Sequence, residues 1–480
     1  MNARNALAAG CALAAAAGLA PDRALARAQT LEDAQAAAPP LTLSKPSPQV
    51  LELDNGLRVW FLEERRLPLV TVLAVVRTGD LWEPADRQGV ADLTGRMLRA
   101  GGTEGRTADQ VDDELDFLAA QLSSGVSTEQ GTVSLDVLTE NLDPALALFA
   151  DILRRPAFDP AKLDIQKNLV KEEIRRRNDD PIQVGFREYF QLLWGEDHPR
   201  ARVPTEETVD ALTRDHLVEF HANFYQPGNI LLGVAGDVSA KDVKKKLNKV
   251  LGDWKAGTTV FPEVPPAPES VPRVAIAEKD LPQSTIVLGH LGPREDDPYR
   301  ASGEVMMSIL GSGGFTSYIT DRVRNDEGLA YVAGGFMSFG RMDRGVVIGL
   351  ALSKSETTCR AADLILEQFE RIRTQDVTDE ELRRAVDGIL NSEAFDYDSS
   401  EEVVANLMDL VYYGLPPDHD EKVVERVGQV TRADVREAAN ALLHPGSVSL
   451  IAVGNPDAMD CALSRYAEQL GVGLQRLELE

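Results

Sequence analysis

Histidine and cysteine are scarce in this 480-residue sequence, which holds six of the first and three of the second. The histidines are His198, His216, His221, His290, His419 and His444. No two are spaced H-x-x-x-H, and His216 and His221, five apart, fall on different faces of a helix. The chain therefore lacks the paired imidazoles that one helical face needs to hold a metal. Cys359 and Cys461 lie far apart and define neither a metal-binding spacing nor a disulfide framework. They read as packed thiols, although an oxidising compartment permits a bond. No G-x-S-x-G elbow, Walker loop or Cys/His nucleophile pairing is present. Basic charge is also short: 50 Lys and Arg stand against 77 Asp and Glu, a formal net charge of -27. Such a surface repels phosphate backbones and anionic lipid, which excludes nucleic acid as a partner. The tight basic runs Arg175–Arg177 and Lys244–Lys246 read as solvated helix faces. Beyond the first thirty residues, no segment reaches about 18 uninterrupted apolar residues, so no membrane span is expected.

The N-terminus differs from the body. Arg4 precedes an uncharged Ala/Leu stretch from Ala6 to Ala20, and Ala26-Arg27-Ala28 offers the small-x-small pattern of a signal-peptidase site. Residues 1–28 are expected to be a signal peptide, and the protein to be exported to the periplasm. Cys11 follows Ala8-Ala9-Gly10, without the leucine expected three residues before a lipid-attachment cysteine. A lipoprotein is the weaker alternative.

The chain is too long for one core, and it repeats itself. Leu212–Asp237 aligns without a gap on Val430–Asn455, placing Thr213 on Thr431, Arg214 on Arg432, Pro227 on Pro445, Gly228 on Gly446 and Gly236 on Gly454. In each copy a threonine opens a helical stretch as a possible N-cap, Pro-Gly marks a turn, and an apolar run closes on glycine as a buried strand does. Between the copies, Pro262, Pro265, Pro266, Pro268 and Pro272 form a linker that propagates neither helix nor central strand. The expected organisation is a first domain at 45–255, a linker at 256–272 and a second domain at 273–478. Strand-like runs Leu69–Val76 and Ser284–Leu288 followed by helical stretches give the fold class: α+β, two duplicated domains, each a mostly antiparallel sheet packed with helices.

Leu53-Asp54-Asn55-Gly56-Leu57-Arg58-Val59, then Gly79, the block Gly89–Thr103 (GVADLTGRMLRAGGT), Glu172-Glu173-Ile174 and Asp180-Pro181 occur in order. Together they resemble the insulinase/pitrilysin metallopeptidases, from about residue 48 to the end. Active members of that family carry an inverted zinc motif, H-x-x-E-H, on a helix, with a third ligand from a later helix. The resemblance puts those motif positions on Asp92, Gly95 and Arg96, the later glutamate ligand on Glu173, and its supporting glutamate on Gln166. Arginine stays protonated and has no lone pair for a metal, and Gly95 has no carboxylate with which to activate water. Zinc hydrolysis is excluded on chemistry, and no metal or other cofactor is expected in this chain. Asp92 and Arg96 stand at i and i+4 with the acid first. Either they form a surface ion pair, or the Arg96 guanidinium replaces the zinc cation and pairs with Glu173.

A second block survives. Gly311-Ser312-Gly313-Gly314-Phe315 leads to Arg324-Asn325-Asp326-Glu327-Gly328-Leu329-Ala330-Tyr331. It is similar to the family's second-half block, whose arginine and tyrosine, seven residues apart, reach the substrate near the zinc; Arg324 and Tyr331 stand at those positions. A cation and a phenolic donor suit a peptide carbonyl oxygen that gains negative charge during attack. The alternatives are a surface arginine and a core tyrosine. The glycine turn lacks a following Lys-Ser/Thr and reads as a helix-entry turn. The resemblance thus implies the zinc-less subunit of a heterodimeric periplasmic metallopeptidase, inactive alone. It would bind peptide substrates through Arg324 and Tyr331 beside a homologous H-x-x-E-H partner that carries the zinc. The rival readings are a structural family member and a stand-alone peptide binder.

Overall fold

In a computed structural model, residues 46–393, 397 and 399–479 are described; the expected signal peptide and Cys11 lie outside them. Twelve strands among these residues form two six-stranded sheets. The first runs β1(Gln49–Glu52)–β2(Arg58–Glu63)–β6(Ile230–Gly236)–β3(Leu69–Val76)–β5(Gly131–Leu138)–β4(Gln121–Val126). The second runs β12(Leu474–Leu477)–β7(Val274–Glu278)–β11(Ser449–Gly454)–β8(Gln283–Leu291)–β10(Val346–Lys354)–β9(Ala330–Met337). Five strands correspond one to one, so that β6 and β11, the strands of the aligned repeat, each lie third from one edge and pair parallel with β2 and β7. The sixth strand comes from opposite ends of the chain. Pairing along β6–β3–β5–β4 and β11–β8–β10–β9 is antiparallel.

The repeat is two-layered because each sheet buries one face under helices. Thr213 and Thr431 cap their helices as the sequence implies, each accepting a backbone N–H three residues on, from His216 and Asp434. The first core joins Val59, Phe61, Val72, Ala74 and Leu232 to Leu93, Met97, Leu98 and Phe149. The second joins Val274, Ile286, Leu288 and Val347 to Met306, Leu310, Ile365 and Phe369. Residues 254–273 contain neither helix nor strand.

The other faces are covered by exchange, which the sequence pattern does not reveal. The helix Pro181–Trp194, from the first half, lays Tyr189, Leu192 and Leu193 on Val287, Ile348 and Ile451 of the second sheet. Its counterpart Ser400–Tyr412, from the second half, lays Val404, Met408 and Tyr412 on Trp60, Val75 and Leu231 of the first. Gly233 in β6 admits this helix: a Cβ there would lie 2.4 Å from the Met408 Sδ. Each half thus completes the other's packing.

The two cysteines are bonded rather than merely packed: Cys359, in the helix Thr358–Thr374, forms a disulfide with Cys461. No helix among the described residues is long and apolar enough to cross a membrane.

Candidate functional site

The helix Val90–Ala100 carries the degenerate motif. It buries Val90, Ala91, Leu93, Thr94, Met97 and Leu98, which leaves Asp92 and Arg96, one turn apart, on its open side. Buried Glu83 satisfies its N-terminus, accepting the N–H of Gly89 at 2.9 Å and of Ala91 at 2.6 Å. Desolvation pushes that carboxyl up to about 8 against these two bonds. The helix Pro160–Arg176 runs beside it, started by Asp159, whose carboxylate accepts the N–H groups of Ala161 and Lys162; proline at its first position costs no hydrogen bond.

These two helices bring Asp92, Arg96 and Glu173 together. Arg96 Nη1 and Nη2 donate to the two carboxylate oxygens of Glu173 at 2.9 and 2.8 Å, and its Nε donates to both oxygens of Asp92 at 2.9 and 2.8 Å. The guanidinium lies between the carboxylates, as the metal-replacement reading expects. Glu173 is 56% exposed and would tolerate solvent, whereas Asp92 is the desolvated member, its carboxyl raised above the ordinary range by burial, with a further push from Glu173 and relief from Arg96. Arg96 is held more firmly charged than a free arginine, chiefly by its bond to Glu173.

Gly95 sits where the helix meets edge strand β4. A Cβ there would lie 2.6 Å from the Val126 nitrogen and 2.8 Å from the Gly125 carbonyl carbon. Ser124 clamps the contact, donating its hydroxyl to the Gly95 carbonyl at 2.6 Å and accepting the Arg99 N–H at 3.1 Å. No side chain larger than hydrogen fits without moving β4. A zinc ion does not fit this residue set: a fixed cation occupies the carboxylates, and the position of the water-activating group is closed by backbone. Among the described residues, no group of three or more His, Cys, Asp or Glu is placed to hold a metal.

The second-half block builds a different object. The glycine turn is not simply a helix entry: the helix Arg300–Met307 widens into a π turn at Ser308–Ser312, and a second π turn spans Asp321–Asp326. Such turns recur at functional sites. Both pack beside β9, fixed by Thr320 Oγ1 donating to the Ala333 carbonyl at 2.8 Å and by Ser317 Oγ at 3.0 Å from Thr320 Oγ1. The β9–β10 register slips between Leu352 and Ser353, so that Val332 and Ala330 are paired and Tyr331 is the extra residue of a bulge. Bulges re-aim side chains. Tyr331 is 78% exposed, not in the core.

Arg324 lies between two rings, its Cζ 4.5 Å from the centre of Phe315 and 5.1 Å from that of Tyr331. Its neighbour Arg322 is paired with Glu327 at 3.0 Å. Arg324 pairs with no carboxylate among the described residues. No hydrogen bond, ion pair or ring contact among them joins Arg324 or Tyr331 to Asp92, Arg96 or Glu173, so the structure assembles two separate clusters. The ring of Phe315 beneath Arg324 is a feature the motif reading missed; its signal was an aromatic residue closing the glycine turn.

The fold agrees with comparisons to known proteins. Residues 59–194 match the insulinase (peptidase family M16) model and residues 211–389 the peptidase M16 inactive-domain model. An uncharacterized zinc protease of Rickettsia bellii is 25% identical over 409 residues, covering 84% of this chain and 96% of that protein. A probable mitochondrial-processing peptidase subunit beta of Arabidopsis thaliana is 23% identical over 430 residues, covering 86% of this chain and 79% of that one. The peptidase M16 inactive domain from Pseudomonas fluorescens superposes with a TM-score of 0.79 at 24% identity, covering 86% of this chain and 99% of its own. The chain belongs to the insulinase (M16) peptidase family, as a member that lacks the catalytic motif.

Proposed function

We propose that this chain is the zinc-less subunit of an exported two-chain metallopeptidase, and that it offers Arg324 and Tyr331 to the active site of a homologous H-x-x-E-H partner that holds the zinc. The contrast between its two arginines carries the reading. Arg96 is consumed by two carboxylates of its own chain, whereas Arg324 is held by aromatic rings and left without an acid partner among the described residues. A charge kept in place but not neutralised suits a carbonyl oxygen that becomes negative only in the transition state. The exposed Tyr331 phenol supplies a second donor beside it. Peptides are the substrates this arrangement fits, through a backbone carbonyl.

Other observations support parts of this reading. The Arabidopsis relative is described as one subunit of a processing peptidase, and a subunit role is what is proposed here. The Cys359–Cys461 bond and the Ala-rich leader favour an oxidising compartment reached by export, with residues 45–255 and 273–478 as the two peptidase-like domains of the mature chain. The test is reconstitution. The purified chain is mixed with an H-x-x-E-H homologue from the same cell; zinc is measured by elemental analysis and hydrolysis with a quenched peptide. Activity in the mixture, with zinc stoichiometric to the partner alone, supports the proposal. Equal activity of the partner without this chain contradicts it.

A further inference from the structure

Phe315 is 63% exposed, an uncommon place for a phenyl ring that makes no contribution to a core, and the polypeptide around it is tied down. Asn325 Nδ2 donates both to the Phe315 carbonyl and to the Asp321 carboxylate, each at 3.0 Å. This strut crosses from the second π turn to the glycine turn and fixes the backbone of Phe315 beside the next residue back from Asn325, Arg324. Gly314, at φ +68°, allows the chain to turn into Phe315. The ring then meets the Arg324 guanidinium at 4.5 Å, closer than Tyr331 does at 5.1 Å.

We infer that Phe315 is a positioning residue for Arg324, acting with Asn325 to hold an unneutralised cation at a fixed place on the protein surface. The physical need is specific. Arg324 is only half-buried, and an arginine in that setting without a carboxylate samples many rotamers, so each bond it makes to a substrate carries the entropy of fixing them. Two rings, Phe315 in the turn Gly314–Thr316 and Tyr331 at the bulge, restrict the guanidinium without neutralising it, because a ring quadrupole attracts a cation but carries no net charge. A carboxylate in the place of Phe315 would fix Arg324 equally well and cancel the charge, as Glu173 and Asp92 do for Arg96. The cluster thus separates orientation from neutralisation. The role in turnover rests on the proposal that Arg324 contacts substrate; the role in holding Arg324 does not.

The experiment has two arms. In the first, the chain alone is treated with phenylglyoxal, and the modification rate at Arg324 is followed by peptide mapping in wild type, Phe315→Ala, Phe315→Tyr and Asn325→Ala. Removing the ring is expected to speed modification several-fold, Phe315→Tyr to leave it near wild type, and Asn325→Ala to fall between. Equal rates in all four overturn the inference. In the second arm, steady-state kinetics are measured on the reconstituted enzyme. Phe315→Ala is expected to lower kcat/KM roughly 5- to 30-fold, the range of a partly desolvated cation–π contact, with Phe315→Tyr restoring most of it. In an Arg324→Ala background the same substitution should cost almost nothing, because it acts through the arginine. An undiminished loss in that background overturns the positioning role and makes Phe315 a direct substrate contact. Full activity of Arg324→Ala itself counts against the proposed function and leaves the first arm to decide the inference.

Discussion

Arg96 spans Asp92 and Glu173 with three nitrogens, Nη1 and Nη2 on Glu173 at 2.9 and 2.8 Å and Nε on Asp92 at 2.8 Å. It joins two helices through side chains alone. All three members keep solvent contact, with 32, 42 and 56% of the Arg96, Asp92 and Glu173 side chains exposed, so screening limits the gain. Arg96→Ala should lower the unfolding free energy by about 1 kcal/mol, the upper end for an exposed pair with bidentate geometry. Urea denaturation checks this; a loss near zero would reduce the cluster to surface decoration.

Because those three side chains converge, Asp92→His with Arg96→His should create a three-ligand site with Glu173 and bind one zinc. It should not hydrolyse peptide, since Gly95 offers no carboxylate. Adding Gly95→Glu should not repair this: its Cβ meets β4 backbone at 2.6 Å, and Gly95→Ala alone should destabilise by about 1–3 kcal/mol through overpacking. Elemental analysis, peptide assays and urea melts test the series. Hydrolysis by the triple variant would contradict the account of the Gly95 position as closed by the β4 backbone.

His290 is fully buried and has a fixed tautomer. Its Nε2 accepts the His444 N–H at 3.0 Å, so the proton sits on Nδ1, which donates to the Leu291 carbonyl at 2.9 Å. Burial lowers its pKa from 6.5 to about 4. The folded value lies below the unfolded one, so the unfolded chain binds more protons between them. The contribution is present above pH 6.5 and is lost as pH falls towards 4, on the order of 3 kcal/mol in full. His290→Gln should show a shallower loss across that window. An unchanged slope in denaturation midpoints against pH would contradict it.

The Cys359–Cys461 bond closes a loop with a sequence separation of 102 residues. Replacing both cysteines by serine should cost on the order of 2–5 kcal/mol, read by denaturant melts of oxidised wild type against the variant. No difference would mean that the bond constrains little.

The elements were legible where local chemistry decides them. The threonine caps at 213 and 431, the strand Leu69–Val76 and the turn after Pro227 follow from residues within a few positions. The Arg96–Glu173 contact was legible through the family resemblance, because a lost zinc leaves its ligand positions converging. What was not legible depends on long-range packing. The exchange of Pro181–Trp194 for Ser400–Tyr412 needs both sheets in hand, since an apolar helix face does not say which sheet it covers. The bulge that turns Tyr331 outward arises from a one-residue slip against β10. Gly95 read as a missing carboxylate; only the approach of β4 shows that it is also a required hydrogen.

The central claim is that Arg324 and Tyr331 act on a partner's substrate, and Tyr331→Phe in the reconstituted enzyme tests it most directly. The change removes one hydroxyl from an exposed ring and should leave assembly and zinc content intact, as size-exclusion chromatography and elemental analysis can verify. The account predicts a fall in kcat of roughly 10- to 1000-fold with little change in KM, the signature of a donor used mainly in the transition state. Full turnover by Tyr331→Phe combined with Arg324→Ala would contradict it and leave this chain a scaffold.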